Sequence, residues 1–452
     1  MDLFFIVVVL LRLSLATAVN FTQVFEWPDG MDYEWPSEAS RTSALNNRTY
    51  FNPKLIQPIF MAVYETRIFL SLEKYNVGIP VTLVSLPTSS ETSAPPELTP
   101  FPSWDMHNKD EYGDCNKIEE AAGLEVDAVG RLWVLDSGSE NCNAKLWISD
   151  LFNNDKTKLI HRFSFGKYLA DLVLDETPNG TFAYIARLYR NHIVVFSLER
   201  NQSWIVDTPG FMAYSIALSP KEEPRQLYLS HSFTNEFFSI SVAALRNGIQ
   251  TANPKLIGKW TRTQKYRMLM DNHGTMYIAS FDENFITSWN TYQSMQEQRF
   301  LVVEGLNTVR PFTFALDSSG TFWVTEINET ATKPTFRLLK AAVGAKPYYI
   351  SDCQTTVPST TTVTHINCTC EEGVRFKEAN KLTEESTNFA LIGLIICFIF
   401  SIVVCTYNLW LNMRLRKLQN YIRQRDAGAV EMPTVPKFFQ PEMLDVEQGN
   451  RK

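Results

Sequence analysis

The sequence is poor in histidine, with six in 452 residues, scattered singly. That excludes a metal centre built on clustered imidazoles, and no His-Glu-x-x-His pair is present. There is no Gly-x-Ser-x-Gly elbow, no Walker loop and no dinucleotide glycine fingerprint, so the common hydrolase, nucleotidase and dehydrogenase chemistries lack their residues. Lys and Arg total 42 against 49 Asp and Glu, a net charge of -7. That balance provides no basic face for nucleic acid. No long stretch shows helical periodicity, so the helices that a doubly wound sheet needs between its strands are missing. No cofactor and no metal is expected.

Charge is also absent from two short regions, and there the absence is informative. "MDLFFIVVVLLRLSLATA" has an apolar stretch and an Ala-Thr-Ala exit, which predicts a signal peptide over 1–18. "FALIGLIICFIFSIVVCTYNLWLNM" (389–413) carries no charge over 25 residues, and "RLRKLQNYIRQR" follows with five basic residues. The pattern predicts one transmembrane helix over 389–411, a cytoplasmic tail over 412–452 and a type I cell-surface protein with its bulk outside. Asn20, Asn47, Asn179, Asn201, Asn328 and Asn367 begin glycosylation sequons, none beyond that span. Cysteine is scarce too, at seven residues, of which Cys397 and Cys405 fall in the apolar helix. The remaining five predict a Cys115–Cys142 bridge and a second between Cys353 and either Cys368 or Cys370. In an oxidising compartment the "HINCTC" cluster (365–370) reads as disulfide chemistry rather than a metal site.

What is abundant is a short motif: an apolar strand, an Asp turn with glycine, and a second apolar strand. "GLEVDAVGRLWVLDSG" (123–138) shows it, and related units recur with turn positions at Tyr64, Asp127, Asp175, Ser219, Asp271 and Asp317. Their spacing of 44 to 63 residues fits about four short strands per unit. The expected fold is therefore an all-β, six-bladed β-propeller ectodomain over 19–352, with a pair of β-sandwiches as the alternative. A Thr-rich stalk over 353–388 would join it to the single transmembrane helix, and "SLPTSSETSAPPELTP" (85–100) reads as a loop between the first two blades.

If the first strand of each blade lines the channel, the residues just past the second strands ring one mouth. They are Glu73, Asp136, Arg187, His231, Asp282 and Glu326. Such a ring around an aromatic channel would suit a ligand carrying a cation. The competing reading gives Asp136 and its relatives a structural task, accepting hydrogen bonds from the next turn. Trp104, Trp133, Trp147, Trp289 and Trp323 read as blade core.

Several stretches resemble the yellow/major royal jelly protein family of arthropods: "VFEWPDGMDYEWPSEASR" (24–41), "VGIPVTL" (77–83), "LTPFPSWDMH" (98–107), "VDAVGRLWVLDSG" (126–138), "SWNT" (288–291) and "FWVT" (322–325). The resemblance implies a secreted six-bladed propeller. It also implies a role in cuticle pigmentation, dopachrome conversion of the isomerase type, or binding of biogenic amines in the channel. Val129 stands where many members carry a cysteine. The expected function is a membrane-anchored, non-catalytic propeller that binds a small aromatic or amine ligand or a cuticle component, linked to pigmentation or cuticle. The alternatives are a dopachrome-converting enzyme of melanin synthesis and an adhesive or structural surface protein.

Overall fold

The computed structural model describes residues 19–350 apart from 48–49, 74–77, 90–93, 108–113, 232–233, 262–264, 281–282, 303–308 and 329–335. The expected signal peptide, stalk, membrane helix and tail lie outside these residues, as do Asp282, Cys353, Cys368 and Asn367. Among the described residues no helix is long and apolar enough to cross a membrane.

Six separate sheets of four antiparallel strands make up the described unit. Five blades follow chain order, over 58–100, 121–162, 169–207, 213–259 and 265–302. The sixth takes three strands from 309–342 and its outermost from the N-terminal strand β1 (Thr22–Trp27), which pairs with Phe336–Ala342. The first and last parts of the chain thus close the ring within a single sheet. The proline-bearing stretch 85–100 lies inside the first blade, not between blades. Leu83–Pro87 is that blade's third strand and Thr99–Pro100 its fourth, a two-residue strand reached by a long connection.

The repeated turn acid has a physical cause. In the second blade, one carboxylate oxygen of Asp127 accepts the N–H groups of Val129 and Arg131, and the other accepts Trp133 Nε1 at 2.8 Å. Asp317 repeats this with Ser319, Thr321 and Trp323. Asp271 does so with His273, Thr275 and the Tyr277 hydroxyl. Each acid therefore closes the first hairpin and tethers a buried aromatic of the second strand. Gly130 and Gly320, at φ +80° and +84°, complete two of these turns in the left-handed region. Four of the five tryptophans expected in the blade core are buried there, Trp133, Trp147, Trp289 and Trp323, whereas Trp104 is half-buried in a 3-10 turn (Trp104–Met106) outside the blade strands.

An N-terminal segment packs across the first blade. Helix α1 (Glu38–Asn46) begins with a Ser37/Ser40 capping box. Before it, Tyr33 and Trp35 join Phe51 and Trp104 in a cluster of rings 5.0–5.8 Å apart.

Candidate functional site

Every first strand carries a β-bulge near its start. The register shifts between Pro58 and Phe60, Ala121 and Leu124, Leu169 and Leu172, Ala213 and Ile216, Lys265 and Arg267, and Pro311 and Phe314. A bulge leaves an extra residue out of the ladder and re-aims its side chain. Six at one level redirect side chains into the channel at the end where the first strands begin.

They enclose a cavity of about 310 Å³. Its wall includes Ile59 and Phe60, Ala122, Ala170, Tyr214, Tyr266 and Phe312, so all six blades contribute bulge residues. Four of these are aromatic, and Tyr266 stacks on Phe312 with centroids 5.3 Å apart. Two carboxylates, Glu73 and Glu120, reach the same wall. Burial raises the Glu73 carboxyl above its ordinary value.

The six residues expected at the mouth have different situations. Glu73 lies on the cavity wall. Asp136 is fully buried and turned into its own blade: it accepts the N–H groups of Glu119, Glu120 and Gly138 and the Trp147 indole, with Lys145 Nζ 3.3 Å away. These bonds hold the Glu119–Glu120 backbone, so Asp136 positions Glu120 and not a ligand. Arg187 is buried over the Phe165 ring at 3.9 Å and donates to His192 Nε2. Its neighbour Leu188 reaches the cavity. His231 ends its strand with its ring 5.0 Å from Phe211. Glu326 is buried beside Arg337 at 3.5 Å, and burial raises its pKa above the ordinary carboxylate value against the pull of that guanidinium. Asp282 is outside the described residues.

Below the cavity the channel is polar. Asp171 pairs with Arg267 at 3.0 Å and accepts from Ser215 Oγ and two backbone N–H groups. Deeper still, burial pushes Glu125 up to about 8, against the pull of Arg267 and with the push of Asp171 and Glu176. The far end is closed by the last described segment. Lys346 exchanges two hydrogen bonds with Asn272 of the fifth blade, and the Tyr348 hydroxyl bonds both N–H and C=O of Leu174 in the third. The strap therefore crosses the channel, and Tyr349 beside it feels Glu125, Glu176, Asp127 and Asp317 from three blades.

Comparison with known proteins agrees with this geometry. The family model described as major royal jelly protein matches residues 120–215 and 207–324, four of the six blades and part of a fifth. The chain is similar to the major royal jelly protein family over those blades. Among its relatives is Protein yellow of Drosophila guanche, 23% identical over 356 residues that cover 68% of this chain and 61% of the relative. Another is the dopaminechrome tautomerase of Drosophila melanogaster, 27% identical over 205 residues, 42% of this chain and 43% of the relative. The chain thus spans less than two thirds of the length of the curated relatives it matches. A solved structure, virginiamycin B lyase from Staphylococcus aureus, covers 64% of this chain at 12% identity and a TM-score of 0.39, too distant to inform the chemistry.

The motifs that carry this similarity most specifically turn out to be architectural. Trp104 of "LTPFPSWDMH" donates to the Glu34 carbonyl of the N-terminal motif, and Leu98 and Glu34 bond across the two stretches. His107 is buried with Nε2 2.8 Å from the Phe101 carbonyl. Val129 is 68% exposed in its turn. The residues missed by sequence reading are Glu120, Phe60, Tyr214, Tyr266 and Phe312. Their only trace in the sequence is their place just ahead of, or at the start of, each repeated first strand.

Proposed function

We propose that this chain is an extracellular propeller of the royal jelly family that binds a small aromatic amine in the cavity at its open mouth. One observation carries the reading: a closed-ended cavity of about 310 Å³ whose wall combines four aromatic rings with the carboxylates Glu73 and Glu120. Rings offer negative faces to a cation and stacking surface to an aromatic body, while a half-buried carboxylate takes an ammonium. The Cys115–Cys142 disulfide supports an oxidising compartment. Anchoring through 389–411, glycosylation of the sequons and a link to pigmentation belong to the same proposal. Asn20, Asn47, Asn179 and Asn201 are exposed and Asn328 is half-buried.

The test is calorimetry of the purified full-length chain with dopamine, serotonin and histamine, beside Glu73→Gln. The expected result is binding of the aromatic amines that weakens about tenfold in the variant, the scale of a charge-assisted hydrogen bond. No heat with any of the three amines would overturn the reading.

A second reading, tautomerisation of an aminochrome, is favoured by Glu73. A carboxyl raised by burial and facing a cavity is suited to move a ring proton, and one relative is a dopaminechrome tautomerase. It predicts dopaminechrome consumption by the wild-type chain that Glu73→Gln abolishes.

A further inference from the structure

On the face opposite the mouth, a cleft of about 490 Å³ lies between the third and fourth blades. Buried charge fixes its two walls to each other. Asp175 of the third blade pairs with both Arg225 and Arg246 of the fourth, and Lys221 of the fourth reaches back to Glu176 of the third at 3.0 Å. The cleft is therefore formed before anything enters it.

Asn179 lines this cleft from the tip of the two-residue turn between the strands Leu169–Thr177 and Gly180–Arg187. The Thr177 hydroxyl accepts the Asn179 N–H at 3.2 Å and donates to the Gly180 carbonyl at 2.8 Å, which fixes the turn. Asn179 is exposed, and among the described residues its side-chain amide makes no hydrogen bond. The stretch Asn179-Gly180-Thr181 is a glycosylation sequon, and Asn179 Nδ2 is the atom that takes the sugar. In that modification Nδ2 bonds to the anomeric carbon of an oligosaccharide carried on a lipid pyrophosphate. The pyrophosphate leaves with the bonding pair and the nitrogen gives up one proton.

The surroundings of Asn179 suit a sugar. A Cβ at Gly180 would fall 2.0 Å from the Glu199 carboxyl carbon, so glycine lets that carboxylate lie under the turn, where it accepts the Thr181 N–H at 2.9 Å. Next to it Arg200 is exposed, and among the described residues its guanidinium has no hydrogen bond or ion pair. On the opposing blade Asn247, at the end of the short helix α2 (Val242–Arg246), likewise has an uncommitted side-chain amide. The cleft thus presents donors on Arg200 and Asn247 and acceptors on Glu199 and Asn247, matching sugar hydroxyls and an acetamide, which do both. The carboxylates of Glu176, Glu199 and Glu223 on the same walls disfavour an anion. The volume falls within the range of about 300–1,000 Å³ that holds a small molecule.

We propose that this cleft is the seat of the chain's own Asn179 glycan, whose first N-acetylglucosamine lies between Arg200 of the third blade and Asn247 of the fourth and braces the two. A sugar tethered at the wall needs little intrinsic affinity, because a short tether supplies an effective concentration of about millimolar. The seat rests on the glycosylated reading above, and it can fail while that reading stands.

The test uses the full-length chain made in eukaryotic secretory cells that add oligomannose glycans, with Asn179 occupancy read by mass spectrometry of the glycopeptide. Tm is compared among wild type, Asn179→Gln, Arg200→Ala and the double variant. Arg200→Ala is expected to lower Tm by about 2 °C in the glycosylated chain, the scale of one hydrogen-bonded contact in a domain of this size. In the Asn179→Gln background it should change nothing. Trimming with an endoglycosidase that leaves one N-acetylglucosamine should preserve the Arg200→Ala effect, because only the first sugar lies in the cleft. An occupied Asn179 with the same Arg200→Ala effect in both backgrounds would overturn the seat and leave glycosylation standing. Loss of the effect on trimming would also overturn it. An unoccupied Asn179 would overturn both the seat and the sequon reading at this position.

Discussion

Asp136 shows how one side chain can satisfy a sequence pattern in two ways. A carboxylate at the end of an apolar strand, with glycine two positions on, fits a ligand-binding ring as well as a turn clamp. The structure gives it four donors and Lys145, which is itself fully buried between Asp136 and Glu119. Removing it leaves three backbone N–H groups and an indole unmet inside the second blade, and leaves Lys145 with a single counter-ion. Asp136→Ala is therefore expected to cost about 3–5 kcal/mol of unfolding free energy, read from the urea midpoint. Asp136→Asn keeps an acceptor and should cost less. Neither change removes an atom from the cavity wall, so amine affinity measured on protein that still folds should move far less than in Glu73→Gln.

At the scale of elements, blade number and order were legible because the hairpin turn repeats a chemical device. An Asp that caps the turn and ties down an aromatic six residues on, as with Asp127 and Trp133 or Asp317 and Trp323, leaves a spacing that can be read directly. The bulges leave no such mark. Tyr214, Tyr266 and Phe312 look like ordinary strand aromatics, and only the register shift aims them into the channel. Of the six residues expected from connectivity, Glu73 lies on the cavity wall, whereas most of that wall depends on a one-residue slip that periodicity does not reveal. Two elements invite tests. The Cys115–Cys142 bridge closes a separation of 27 residues across the approach to the second blade. Cys142→Ala should therefore lower stability by about 3 kcal/mol, seen as a lower Tm. Strand β1 closes the sixth blade, so deleting 19–27 exposes the edge of Phe336–Ala342. The expected outcome is loss of the single cooperative transition and a concentration-dependent aggregate in light scattering.

The whole molecule carries a pH signature. Glu125 is raised to about 8, and burial also raises Glu73 and Glu326. Between the ordinary carboxylate value of about 4 and about 8, Glu125 keeps its proton in the folded chain but not in the unfolded one, an effect that the lowered His161 and His192 oppose only below about pH 6.5. Stability must then fall as pH rises through that window. Tm should climb when the buffer is taken from about pH 9 to about pH 6, and Glu125→Gln should flatten the climb by raising its alkaline end. Asp175 acts in the opposite sense. Burial works to raise it, but Arg246, Arg225 and the Tyr184 hydroxyl outweigh that and hold it low. Its contribution is present above the unfolded value of about 4 and is lost as pH falls below it. The two effects together place the stability maximum in mildly acidic solution.

Among the described residues, the strap that ties Asn272 to Leu174 through Lys346 and Tyr348 crosses the far end of the channel and leaves the mouth as its door. In a tunnel an incoming molecule can push the old one out ahead of it. In a blind alley the occupant must leave by the way it came before a newcomer takes its place. Exchange is then governed entirely by spontaneous departure, and the rate at which a labelled occupant leaves should not change however much unlabelled competitor is added.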